Sequence, residues 1–424
     1  MQLENNSRVA IIGGGPAGSF TALHLQRFAA HAGLRLEIAI FELRDFSRPG
    51  PRGCNKCAGI ISSKTVHNLI ALGLSFPDGI ILAELNSYVL HLDQNELLIE
   101  QPDPDRRIVS VYRGSGPRLG THPPPISFDG WLIAQAQARG ATLYPERVIA
   151  IRAGPRRHTI VTAQRAFEAD LVILATGINS SAPLDPGWQY RPPRSMVMAQ
   201  DEILLPTTLE KGHVHVFFAP PSGMIFGGLI PKGRYANISL LGHKLPPRAI
   251  AEFLKEHETT LFSQDTPTLC GCTPRIVTAP ATGYYADRMV AVGDCAVTRL
   301  YKDGIGSAYV TAEAAARTAV EMGISARHFS VGYRSVCHRI ARDNHYGHLL
   351  FWLWGLARRS PALVSAWQKA VLREKDLPAS DQIYHRVLWG MFTGDESYRQ
   401  IFWLMIGRAA THLFWDTIKA WRQK

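Results

Sequence analysis

At 424 residues the chain is long enough for two or three domains. With 46% hydrophobic and 19% charged residues it can bury a sizeable core, which excludes a disordered chain, a collagen and a small disulfide scaffold. Lys and Arg number 46 against 35 Asp and Glu, so the net charge of +11 favours an acidic partner such as lipid headgroups, nucleic acid or an anionic redox protein.

The first eight residues are polar and include Glu4, unlike a secretory or transit peptide, and the expected location is the cytoplasm. In that reducing compartment the six cysteines are expected as thiols or ligands. Residues 8–12 are β-branched and apolar, 13–18 form a glycine turn, 20–30 have helical spacing, and 36–41 read as a second strand. This is a βαβ unit. A loop rich in Pro, Gly and Arg over 48–53 leads to Cys54 and Cys57, with a helix expected over 62–72 and strands over 81–100. A helix follows over 129–139, then a buried strand over 169–175 that ends in Thr176 and Gly177. Residues 191–261 carry hairpin spacing and glycine turns, the mark of a separate β-rich layer. The uncharged stretch 214–231 holds Pro220, Pro221, Gly223, Gly227 and Gly228, so it reads as strand and loop, not as a membrane span. Another buried strand spans 289–292, a helix is expected over 304–320, and the rest is helical and tryptophan-rich.

Gly13, Gly15 and Gly18 form G-x-G-x-x-G between the first strand and helix. The first glycine permits a tight turn, the second lets a diphosphate approach the backbone, and the third lets helix and strand pack closely. Glu42 ends the second strand, where a carboxylate can accept ribose hydroxyls. Ala17 in the turn and Arg52 in the following loop are added to the cofactor-side candidates. Far along the chain, Gly293-Asp294 ends a strand and Gly304 and Gly306 precede a small-residue helix. A carboxylate there can accept ribityl hydroxyls, while amides at the helix start can meet an electron-rich carbonyl. That combination suits a flavin.

Together with the 170–177 strand, these motifs resemble the para-hydroxybenzoate hydroxylase superfamily of FAD enzymes, and within it the geranylgeranyl reductase family, over residues 8–325. The resemblance implies a Rossmann-type α/β domain that holds FAD through Gly13, Gly15, Gly18, Glu42, Arg113, Asp294, Gly304 and Gly306. It further implies a β-rich substrate domain and a helical C-terminal extension. The expected boundaries are 1–80, 105–185 and 276–326 for the FAD domain, 81–104 and 186–275 for the substrate domain, and 327–424 for the helices. Residues 57–62 look like the family's cysteine segment beside the isoalloxazine, and 221–233 look like its substrate-side aromatic and proline motif, which marks Cys57 and Phe226 as catalytic candidates. The proline usual between Asp294 and Gly304 is replaced by a stretch with Leu300 and Tyr301, which brings Tyr301 toward the flavin or substrate. Thr176 stands where hydroxylases carry aspartate, which argues against an aromatic hydroxylase.

A second G-x-G-x-x-G is missing, so electrons are expected by transient contact with NAD(P)H, from a carrier such as ferredoxin, or from a thiol. The pairs Cys54/Cys57 and Cys270/Cys272 admit three readings: buried small hydrophobes, a dithiol relay, or a four-thiolate site for zinc or an iron–sulfur cluster. No metal is expected. In the C-terminal region Phe402, Met405, Ile406, Ala409 and Leu413 share a helical face flanked by Trp403, Phe414 and Trp421, opposite Arg408, Thr411, His412, Lys419 and Arg422. This pattern fits a helix of about 398–421 lying on a membrane surface or packed on the protein itself. Nucleic acid is not expected, because these aromatics line no basic groove. The reading is an FAD oxidoreductase that reduces carbon–carbon double bonds of an isoprenoid or other apolar substrate. The alternatives are a dehydrogenase passing electrons to a membrane quinone and a flavin/thiol redox sensor.

Overall fold

Four parallel strands that end at one level organise the molecule. In the computed structural model, which describes residues 1–92, 95–219, 221–258, 261–263 and 266–409, Ile12 lies opposite both Phe41 and Leu174, and Leu174 lies opposite Ala291. The sheet runs Tyr285–Ala286, Met289–Ala291, Leu171–Leu174, Ser7–Ile12, Leu36–Phe41, Thr142–Tyr144, and all neighbours are parallel except the Tyr285–Ala286 hairpin. Val9, Ala10, Ile11 and the whole Leu171–Leu174 strand are inaccessible to solvent, as expected for strands covered on both faces. The register places Gly13, Glu42, Thr176 and Asp294 along one edge, just beyond the strand ends, where open α/β sheets bind ligands.

The helices Pro16–His31, Phe128–Ala138 and Gly304–Arg317 pack with this sheet into one core. The first begins four residues earlier than its spacing predicts because Pro16, with no N–H to lose, occupies the first turn. Phe128–Ala138 is capped by the Ser127 hydroxyl, which accepts from Gly130 N. The third ends at Arg317 and continues as a π-helical turn over Thr318–Met322, where a plain helix to 320 was expected.

A second six-stranded sheet runs Ala199–Leu204, Tyr235–Gly242, Met224–Lys232, His213–Phe217, Ser87–Leu92, Asn95–Glu100. It is antiparallel apart from the His213–Phe217 and Ser87–Leu92 pair. Alternation divides its side chains between two faces. Phe217 and Leu229 pack with Phe253 of the helix Ala249–Glu256, whereas their neighbours Val216 and Ile230 pack with Leu388, Trp389 and Phe392 of the helix Ile383–Thr393. The C-terminal helices are therefore built into two cores: Phe329, Tyr333 and Cys337 join the parallel sheet, and residues from Leu350 onward join the second sheet.

The expected interfacial face near the C-terminus is partly a packing face. Tyr398–Leu404 is helical behind a Ser397–Gln400 capping box, followed by a π-helical turn over Met405–Ala409. Ile401 is buried and Phe402 and Met405 pack beside it, while Trp403 and Ile406 stay exposed. The remaining members of that pattern, Arg408, Ala409, Thr411, His412, Leu413, Phe414, Lys419, Trp421 and Arg422, lie outside the described side chains. Among the described residues no helix is long and apolar enough to cross a membrane.

His24 lies on the first helix, edge-on to Tyr309 of the Gly304–Arg317 helix at 4.7 Å, and is 0% exposed. Burial, reinforced by Arg27 and Arg317, lowers its pKa to about 3. The unfolded chain therefore takes up this proton first, and stability falls by about 1.4 kcal/mol per pH unit as pH drops below about 6.5 toward that value. His24→Leu should remove this contribution. The check is the melting temperature against pH: the wild type should lose stability more steeply than the variant below pH 6, and parallel curves would refute it.

Candidate active site

The glycines of the first turn are required for different reasons. A Cβ on Gly13, whose φ is +112°, would lie 2.3 Å from the Ala175 carbonyl oxygen, and one on Gly18 would lie 1.9 Å from the Gly13 oxygen. The chain's own packing forbids both. Gly15 is N-cap of the Pro16–His31 helix with no side-chain cap, so the first amides and the positive dipole end are open to a diphosphate. Glu42 is fixed beside the turn, accepting from Gly14 N at 2.9 Å and Arg44 N at 2.8 Å.

Behind the turn lies a buried polar cluster. The Arg113 guanidinium donates to both carboxylate oxygens of Asp129, which is itself fully buried, with the Nη2–Oδ2 contact at 2.9 Å. Asn55, from the loop between Cys54 and Cys57, donates its amide N–H to the same carboxylate and accepts from Arg44. Burial disfavours charge on Arg113, but Asp129 outweighs it and the guanidinium stays ionised. Arg113 in turn favours the charged form of Asp294, against the burial that raises that carboxyl's pKa.

The second half of the site crosses the first. Gly293 has φ +59°, and a Cβ there would lie 2.7 Å from the Cβ of Ala17, so this contact demands small residues on both sides. Asp303, in left-handed conformation, caps the Gly304–Arg317 helix by accepting from Gly306 N, and a Cβ on Gly306 would strike that carboxylate at 2.3 Å. Gly306 thus serves the cap. Gly304 differs: the nearest protein atoms to its Cβ position are 3.8 and 3.9 Å away, so the protein alone has room for a side chain. Burial raises the Asp303 pKa to about 6, partly offset by Arg299 and the Ser62 hydroxyl.

These parts meet in a cleft of about 1740 Å³, open mouth included, between the two sheets and the Ile383–Thr393 helix. Its lining runs from Gly15, Glu42 and Asp294 to Val214, Val216 and Phe226, so cofactor-side and substrate-side residues share one cavity. Of the predicted residues, Gly15, Ala17, Glu42, Cys57, Arg113, Phe226, Asp294, Tyr301 and Gly304 line it. Tyr301 has φ +61° and packs on Phe351 at 5.1 Å and toward Phe226 at 6.4 Å. Arg52 is exposed and does not line the cleft, where Arg44 stands instead. Cys54, Cys270 and Cys272 also stay outside its lining; the last two sulfurs are 3.8 Å apart, and burial pushes the Cys54 thiol up to about 11. Among the described residues no group of three or more His, Cys, Asp or Glu could hold a metal. Sequence reasoning missed Asn55, Lys302 and Phe392, all of which line the cleft. Lys302 adjoins Tyr301 in the stretch that lacks the usual proline, a signal that could have drawn attention to it.

Residues 122–318 match the family model DAO, FAD dependent oxidoreductase. Among solved structures, the chain is similar to a geranylgeranyl bacteriochlorophyll reductase-like protein from Thermoplasma acidophilum (14% identity, 95% of this chain and 100% of that one, TM-score 0.66). It is also similar to a flavoprotein/dehydrogenase from Cytophaga hutchinsonii (15%, 92% and 93%, TM-score 0.64). A third likeness is to p-nitrophenol 4-monooxygenase from Pseudomonas putida DLL-E4 (16%, 94% and 97%, TM-score 0.57). No curated protein matches the sequence. The open helix N-terminus, the Glu42 and Asp294 carboxylates along the same edge of the parallel sheet and the room at Gly304 fit the same cofactor, so the fold is similar to that of para-hydroxybenzoate hydroxylase-type flavoproteins and FAD is its cofactor.

Two glycine variants separate fold from cofactor. Gly18→Ala should fail to fold, because its Cβ meets a backbone oxygen. Gly304→Ala should melt no lower than wild type, since alanine favours a helix, yet bind FAD about tenfold more weakly through steric conflict. Flavin titration of the apoprotein decides this, and unchanged affinity in Gly304→Ala would remove that residue from the cradle.

Proposed function

We propose that this chain is an FAD-dependent reductase of carbon–carbon double bonds in an isoprenoid or other apolar substrate. The observation that carries the reading is the continuity of the cleft: the cofactor groups at Glu42, Arg113 and Asp294 open directly onto a wall of Val214, Val216, Phe226, Ile230 and Phe392. Such a wall binds hydrocarbon by burial and excludes water from it. The TM-score of 0.66 to a geranylgeranyl reductase-like protein accords with this reading, while that likeness by itself speaks for the fold.

When bound, FAD supplies the hydride. The remaining need is a proton for the neighbouring carbon, and Cys57 is the thiol in the lining that can hold it. Its sulfur accepts from Gly59 N at 3.4 Å, which keeps the side chain in its loop. Gly59 has φ +76° and cannot carry a Cβ, which would lie 2.1 Å from the Val111 oxygen, so the loop is fixed by its own backbone. The electron donor is proposed as NAD(P)H, a ferredoxin-like carrier or a thiol meeting the cleft transiently.

Cys57→Ser should bind FAD normally but slow oxidation of the prereduced protein by a prenyl alkene about 10²-fold in single-turnover mixing. Wild-type rates would rule Cys57 out, and no oxidation of the wild type by any such alkene would rule out the reductase. Oxidation by a short-chain quinone instead would favour the quinone dehydrogenase.

Apolar substrates reside in membranes, and peripheral docking is part of the proposal. Trp352 is 59% exposed and Trp403 57%, and the chain is strongly cationic. Anionic vesicles should recruit the protein in a salt-sensitive way. Trp352→Asp with Trp403→Asp should reduce recruitment and leave bound flavin unchanged, because neither side chain lies in a core. Equal vesicle binding by the double variant would reject this surface.

A further inference from the structure

Lys302 is a cation in the cleft wall with no partner of its own. Its ammonium lies 4.4 Å from the centroid of the Phe226 ring and 5.1 Å from that of Phe392. Among the described residues it makes no hydrogen bond or ion pair. The charged groups around it are already engaged. Arg299 donates to the carbonyls of Gly394 and Glu396 at 2.9 and 2.6 Å and stacks on Tyr398. Asp303 accepts from the Ser62 hydroxyl and Gly306 N at 3.0 and 3.2 Å. Asp395 accepts from the Ser63 hydroxyl at 2.7 Å and the Trp389 indole at 2.8 Å.

A lone ammonium between phenyl rings is poorly compensated, since ring faces attract a cation far less than a carboxylate does in a desolvated site. Burial, with Arg299 adding to it, accordingly lowers the Lys302 pKa to about 7. A neutral side chain of similar shape would suit the apolar wall better, so the position is best explained by an anion arriving with the ligand. One free ammonium with three donors matches a single carboxylate. A diphosphate would need further free donors, whereas Arg299 spends both terminal nitrogens on the Gly394 and Glu396 carbonyls and its remaining unpartnered Nε is buried.

We propose that Lys302 is a specificity residue that receives the carboxylate head of an otherwise apolar substrate, such as an unsaturated long-chain or isoprenoid acid. The inference rests on the apolar-substrate reading and narrows it to acids. Phe226 from the second sheet and Phe392 from the C-terminal helices set their rings against the lysine ammonium, so head-group recognition would draw on all three parts of the chain.

The test titrates the FAD-loaded protein with dodecanoate, dodecanol and dodecyl phosphate, below their micelle concentrations, by calorimetry. Wild type should bind dodecanoate about tenfold or more tighter than dodecanol. K302M and K302Q should lose that preference while keeping dodecanol affinity, melting temperature and flavin content. Equal binding of acid and alcohol by wild type, or a preference that survives in both variants, overturns the role of Lys302 and leaves the apolar cleft standing. Tighter binding of dodecyl phosphate than dodecanoate overturns the carboxylate assignment. Loss of flavin from both variants would assign Lys302 to the cofactor and also overturn it. Binding of none of the three overturns the apolar reading together with this inference.

Discussion

The register of the central strands is the constraint on which the rest of the structure depends. Because Ile12, Phe41, Leu174 and Ala291 stand in one row, the residues that follow them emerge together from the sheet. Gly13 then turns into an uncapped helix, Glu42 closes on the turn, and Asp294 arrives from nearly 300 residues away. A one-residue slip in a strand buried on both faces would displace its terminal residue from that row and turn each side chain to the opposite face. Glu42 and Asp294, with two strands between them, share one edge of the sheet because of this pairing.

The buried cluster of Arg113, Asp129 and Asn55 ties the loop carrying Cys57 to the start of the Phe128–Ala138 helix, with Asn55 and Arg113 standing beside Gly15 of the glycine turn. Removing one partner of such a pair strands a charge, at a cost of about 3–5 kcal/mol. The cluster therefore links positioning of the thiol to positioning of the cofactor.

The substrate side is assembled differently. The second sheet spends one face on its own helix, Ala249–Glu256, and the other on the C-terminal helices. Phe392 thereby joins Phe226 across the cleft, and the Arg299 bonds to Gly394 and Glu396 hold the end of that helix to the flavin-side loop. The C-terminal helices are thus part of the substrate chamber as well as its outer cover.

Local patterns were sufficient for the βαβ unit, the Gly-Asp strand end and the β-rich layer, because each depends on backbone geometry set by neighbouring residues. A glycine at φ +112° or a run of β-branched residues carries its meaning within a few positions. Even so, the sequence could not separate Gly306, required by the Asp303 cap, from Gly304, where the protein leaves room, since both are only glycines before a helix. Arg52 and Arg44 were equally indistinguishable: both follow the second strand, and only the bond from Arg44 to Asn55 selects one for the cleft. The apolar face near 402 had two possible partners, and the tertiary structure spent Phe402 and Met405 on packing while leaving Trp403 exposed. What the sequence by itself determined was the set of turns and strands that can meet a dinucleotide. Which side chains share the cleft, and that Lys302 stands there without a counter-charge, was decided only when distant segments folded together, because the absence of a partner is a property of three-dimensional surroundings that no local spacing encodes.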